Sequence, residues 1–160
     1  MHTLIQGYWL PTIRAAIEIN RNNPTRAIEF LNATSPLEMI REGSLYAVYL
    51  RGLAYLLLHQ GNEAAAEFQK LLDHRGLVGN SSRAALAHLG LARSYALTGD
   101  MAKARSAYQD FFALWKDADA DIPILKEAKA EYLKLHQACC HQERKCLSLT
   151  LFVYLFLPPT

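Results

Sequence analysis

Apolar positions along the chain recur at spacings of three and four, the period of a helix buried along one face. In residues 83–98 the stripe is Leu89, Ala92 and Ala96; in residues 101–115 it is Ala104, Tyr108, Phe111 or Phe112, and Trp115. Thr98-Gly99-Asp100 separates the two. Glycine readily takes the left-handed conformation that closes a helix, and aspartate accepts from the free amides that open the next. The segment therefore reads as helix, tight turn and helix. So short a turn makes the helices antiparallel neighbours, and Ala92 and Ala104 are small where two backbones must approach.

The same design occurs twice more. Residues 52–72 carry Gly52 and Tyr55, a turn at Gly61-Asn62, then Ala64 and Phe68. A weaker copy in residues 13–31 turns at Asn22-Asn23-Pro24, with Pro24 at a first-turn position and Ala27 and Leu31 following. Tyr55 and Tyr95 are 40 residues apart, as are Ala64 and Ala104. A period near 40 marks a helical repeat array. The breaks between copies fall at "ATSPLE" (33–38) and "HRGLVGNSS" (74–82).

Beyond Trp115, Asp121 reads as an N-cap with Pro123 in the first turn. Leu125, Ala128, Tyr132 and Leu135 share one face, and Lys126, Glu127, Lys129, Glu131 and Lys134 the other. The expected fold is all-α: a right-handed superhelix of three antiparallel helical pairs, at about 9–33, 44–73 and 83–115, plus a closing helix at about 122–137. Residues 1–137 are expected to form one helical repeat domain with no sheet.

Composition narrows the function. The chain has 160 residues, half of them apolar, and a formal net charge of +2, too small and scattered for a nucleic-acid surface. The start, "MHTLIQGYWLP", has no basic segment and no long apolar run, so no signal peptide is expected. The default compartment is cytoplasmic. Nucleophile-elbow, phosphate-loop and paired-histidine zinc patterns are absent. No catalytic residue, cofactor or metal is assigned, and the chain is expected not to be an enzyme.

Residues 138–160 break the pattern and are expected to be a poorly ordered, cysteine-containing tail. Cys139, Cys140 and Cys146, with His136 and His141, are ligand types that suit zinc, but adjacent cysteines are awkward for a structural site. A small zinc-binding or redox protein is therefore one alternative reading. The apolar run at 147–157 is shorter than the roughly 20 residues of a spanning helix, so no transmembrane helix is expected. Self-association through this tail is the other alternative.

The candidate binding residues lie on the first helix of each pair, which lines the concave face of a helical-pair array. Arg14, Arg51 and Arg93 recur there 37 and 42 residues apart. Their guanidinium groups could hold carboxylates bidentately, and Tyr46, Tyr49 and Tyr55 add aromatic contact surface. The competing reading makes them ordinary surface arginines paired with glutamates such as Glu18.

On these residues the chain resembles tetratricopeptide repeats over 8–137. The third copy carries Ala92, Tyr95, Gly99-Asp100, Ala104 and Tyr108; the second Gly52, Tyr55, Ala64 and Phe68; the first Ala15, Ala27 and Leu31. Three stretches, beginning "YWLPTIRAAIEINRNNPTRAIEFL", "YLRGLAYLLLHQGNEAAAEFQ" and "LGLARSYALTGDMAKARSAYQ", also resemble the C-terminal tetratricopeptide region of bacterial eukaryotic-like serine/threonine protein kinases. No kinase catalytic motif accompanies them. The resemblance implies a non-catalytic regulatory or sensor module with a protein or peptide ligand in its groove. Descent from a membrane-anchored kinase would make an extracytoplasmic location the alternative.

Overall fold

The computed structural model describes residues 2–39, 45–78 and 81–135. Every regular element among them is helical, as the periodicity predicts. They fall into two compact units, the first Met1–Asp117 and the second beginning at Ala118.

The first unit opens with one helical run: α1 (His2–Leu4), a π-helical stretch (Ile5–Trp9) and α2 (Leu10–Asn20). There follow α3 (Pro24–Asn32), a 3-10 turn (Ser35–Leu37), α4 (Tyr46–Leu57), α5 (Gly61–Asp73), α6 (Arg75–Val78), α7 (Arg83–Thr98) and α8 (Met101–Leu114). Helices α2 and α3, α4 and α5, and α7 and α8 pack as pairs, and each pair packs on the next in chain order. These pairs lie within two or three residues of the boundaries expected from the sequence, except that the first helix starts earlier than residue 9.

The local signals act largely as read. Gly99 has φ +82° and closes α7, and the Asp100 side chain accepts from the Lys103 backbone amide at 3.1 Å to cap α8. Pro24 stands in the first turn of α3, after Asn22 at φ +60°. The second turn differs. His59 takes the left-handed conformation (φ +56°), while Gly61 already begins α5. Gly61 is small for another reason: a Cβ there would sit 2.8 Å from the Ser94 carbonyl oxygen and from the Thr98 methyl on α7. The break at 74–82 also holds a short helix, α6, that the glycines hid.

Burial follows the repeat pattern. Ala15, Ala27, Ala64, Phe68, Ala92, Ala104, Tyr108 and Phe111 are buried. Tyr55, Tyr95, Ala96 and Trp115 of the same pattern are only half-buried, and Lys103 Nζ lies 5.5 Å from the Tyr95 ring centroid. The first core cluster joins Tyr8, Ala15, Ala27, Leu31, Ala47, Leu50 and Ala54. The Tyr8 hydroxyl accepts from the Ala47 amide at 3.2 Å, tying the opening run to the first turn of α4.

In the second unit, residues 123–135 are helical, starting at Pro123. Leu125 and Ala128 are buried, and Tyr132 and Leu135 half-buried. Asp121 does not cap this helix in the manner expected: its carboxylate pairs with Lys126 Nζ at 2.7 Å. Residues 136–137 and the cysteine-containing segment 138–160 lie outside the described residues.

Candidate binding surface

The three arginines singled out by their recurrence do not share one surface. Arg14 is exposed on α2, with its Cζ 6.0 Å from the Phe30 ring centroid on α3. Arg93 is half-buried on α7. Arg51 is only 5% exposed, and both terminal nitrogens of its guanidinium are engaged inside the protein. Its Nη2 donates to Glu38 Oε1 at 2.6 Å and to Glu67 Oε2 at 3.1 Å, and its Nη1 donates to the Leu31 carbonyl at 3.1 Å. Glu38 is 1% exposed and also accepts from Lys70 Nζ at 2.7 Å. Burial would depress the Arg51 pKa, but hydrogen bonding and charge from Glu67 and then Glu38 outweigh it and raise it. Arg51 thus fastens the segment after α3 to α4 and α5. Glu18, weighed as an arginine partner, accepts from Arg21 at 3.2 Å and Asn23 at 3.1 Å.

Tyr46 meets a cationic side chain across the α4–α7 contact, and Tyr49 lies one turn further along α4. Both are half-buried on α4. The Cζ of Arg83, in the first turn of α7, lies 5.4 Å from the Tyr46 ring centroid, a cation–π arrangement. The Tyr49 hydroxyl has its pKa raised by burial, against the opposing pull of the Arg93 and Arg83 charges. Its ring meets the Phe68 ring edge-on, centroids 6.0 Å apart, which fixes it from below. Tyr46 and Arg83 therefore make one aromatic and cationic contact, and the charges of Arg93 and Arg83 act on the neighbouring Tyr49 hydroxyl.

Arg83 carries no signal in the sequence, because it falls outside the recurrence that links Arg14, Arg51 and Arg93. Its Nε is buried and has no hydrogen-bond partner among the described residues. A buried guanidinium donor without an acceptor is costly unless something else supplies one.

A second hollow of about 250 Å³ lies between α5, α7 and α8 and includes His88, Tyr95, Lys103, Ser106 and Asp110. His88 Nδ1 lies 3.7 Å from Asp110, and its Nε2 lies 3.4 Å from Arg75 Nη2. Burial lowers the His88 pKa; Asp110 opposes this and Arg75 adds to it. The imidazole is thus held between the two side chains. Among the described residues no group of three His, Cys, Asp or Glu side chains is placed to hold a metal ion. Among them, too, no helix is long and apolar enough to cross a membrane.

The first unit is, by class, a stack of antiparallel helical pairs. Comparison with protein-family models, curated protein sequences and solved structures gives no match.

Proposed function

We propose that the chain is a tetratricopeptide-type repeat module that binds a peptide segment of another protein on the α4–α7 surface. The observation that carries this reading is the Arg83 guanidinium against the Tyr46 ring, one turn from Tyr49, with one buried Arg83 donor lacking an acceptor among the described residues. Aromatic rings provide contact area at small entropic cost, and arginine adds directional donors for carboxylates. The period of the helical pairs and the small residues at their contacts support the repeat reading. In it α4 and α7 are first helices of successive pairs, and the tyrosines and arginines line the concave side of a right-handed superhelix. The expected ligand is an acidic or C-terminal peptide segment. By resemblance the module serves the regulatory or sensor part of a bacterial serine/threonine kinase.

The test is a peptide-array screen followed by calorimetric titration of the best ligand. Tyr49→Ala and Arg83→Ala should each weaken binding at least fivefold with helicity intact, and Arg14→Ala should not. Unchanged affinity in both groove variants overturns the reading. Zinc near one equivalent per chain by elemental analysis would favour instead a metal-binding role for the cysteine and histidine segment.

A further inference from the structure

The first and second helical pairs match in register, and the match exposes a surface that one pair covers and the other leaves open. Thirty-seven residues separate Ala15 from Gly52, Ala27 from Ala64 and Leu31 from Phe68, all buried. The same offset takes Ile13, Arg14 and Ile17 on α2 to Leu50, Arg51 and Ala54 on α4. On α4 this trio is covered. Leu50 (5% exposed) and Ala54 (0%) pack in the cluster with Ala27 and Leu31 of α3, while Arg51 takes the Leu31 carbonyl and the Glu38 carboxylate. On α2 the corresponding trio is bare: Ile13 is 53% exposed, Ile17 44%, and Arg14 is exposed.

The bare surface is also cationic. The Cζ atoms of Arg14 and Arg26 lie 6.0 and 5.9 Å from the Phe30 ring centroid, and neither guanidinium has a carboxylate partner among the described residues. Arg21 is beside them, paired with Glu18. Together with Ile17 and Glu18 they line a shallow hollow of about 450 Å³, three arginines against one carboxylate. Two exposed isoleucines thus stand beside two arginines that have no described carboxylate partner.

We propose that this face is a second docking site, distinct from the α4–α7 surface, whose occupant is an amphipathic helix of a partner protein ending near a glutamate or aspartate. The α3–Glu38 segment on α4 is the internal precedent. A helix brings small and aliphatic side chains to Ile13 and Ile17. Its C-terminal carbonyls and the following carboxylate meet Arg14, and the positive charge of Arg14 and Arg26 selects an acidic segment. The inference rests on the register of the two pairs and on charge complementarity, and it does not depend on what the other surface binds.

The probe is a synthetic peptide of residues 23–39 of this chain, the segment that covers the equivalent face. A lactam between Glu29 and a lysine introduced as Thr25→Lys makes it helical; both positions are exposed. Fluorescence anisotropy against the full chain should give saturable binding. Arg14→Gln in the protein, or Glu38→Gln in the peptide, should each weaken it about tenfold, and the two changes together should weaken it little further. Ile17→Lys should abolish it. Arg14 and Ile17 are exposed and Tyr49 is half-buried, and circular dichroism checks that all the variants fold. Absence of saturable binding up to millimolar peptide overturns the proposal. So does binding indifferent to Arg14→Gln, which would mean displacement of the chain's own α3. Loss of binding in Tyr49→Ala would place the peptide on the other surface and overturn the proposal equally. Sedimentation showing self-association that Ile17→Lys removes would assign the face to a second copy and overturn the partner helix.

Discussion

The ring of Phe68 on α5 lies directly against the backbone of Gly90 on α7: a Cβ at residue 90 would stand 2.5 Å from Phe68 Cζ. The ring cannot retreat, because a Cβ at Gly52 on α4 would also stand 2.8 Å from it, and Tyr49 closes its edge. One phenyl ring is thus clamped between two helices that carry glycine at the contact. It is the centre on which the second and third pairs meet.

Gly90→Ala should therefore destabilise the first unit. Overpacking a well-filled core costs about 1–3 kcal/mol, and the better helix propensity of alanine returns at most about 1 kcal/mol. Urea unfolding followed by circular dichroism should show a lower midpoint with an unchanged slope. A midpoint at or above that of the parent would mean that the contact is looser than the geometry states.

Ala104→Leu tests the third pair in the same way. Ala104 is fully buried on α8, where the helix packs on α7. The added bulk should cost about 1–3 kcal/mol, read as a lower thermal midpoint. A melt matching that of the parent would show that the register of α8 on α7 is wrong.

The Glu38–Arg51 pair gives a sharper test. Glu38→Gln leaves the buried Arg51 guanidinium short of a charged partner, and removing one member of a buried pair costs about 3–5 kcal/mol. Glu67 remains 3.1 Å from Arg51, which places the expected loss at the lower end of that range. Replacing both residues together, Glu38→Gln with Arg51→Met, should recover part of it. A double-mutant cycle by chemical denaturation checks this, and strict additivity would show that the two side chains do not couple.

His88 makes stability depend on pH. Burial lowers its folded-state pKa below the ordinary value of about 6.5. The unfolded chain therefore binds a proton before the folded one does, and stability falls as pH drops from the unfolded value toward the lowered folded one. Above that window the contribution is complete; below both values it is lost. His88→Gln should flatten this part of the stability curve, measured by thermal melts between pH 7.5 and 5. An identical slope in parent and variant would assign the pH dependence elsewhere.

Much of the helical architecture was determined by the sequence itself. The periodicity of three and four, Gly99 before Asp100, and Pro24 after Asn22-Asn23 are local signals, and local hydrogen bonding and sterics set what they do. The recurrence of Ala27, Ala64 and Ala104 also placed the helix contacts, because only a small side chain permits that approach. The role of a charged residue is another matter, since it depends on what the chain brings to it from far away. Arg14 and Arg51 occupy equivalent positions in the first two pairs, yet one is exposed and the other buried. The difference is the preceding α3 and Glu38, which cover α4 and have no described counterpart over Arg14. Arg83 became visible only when α7 laid its first turn against Tyr46. Helix formation is decided within a few residues, whereas desolvation and charge pairing are decided by which elements meet. That is why the sequence settled the elements and only the tertiary structure decided which arginines are buried in ion pairs and which are exposed.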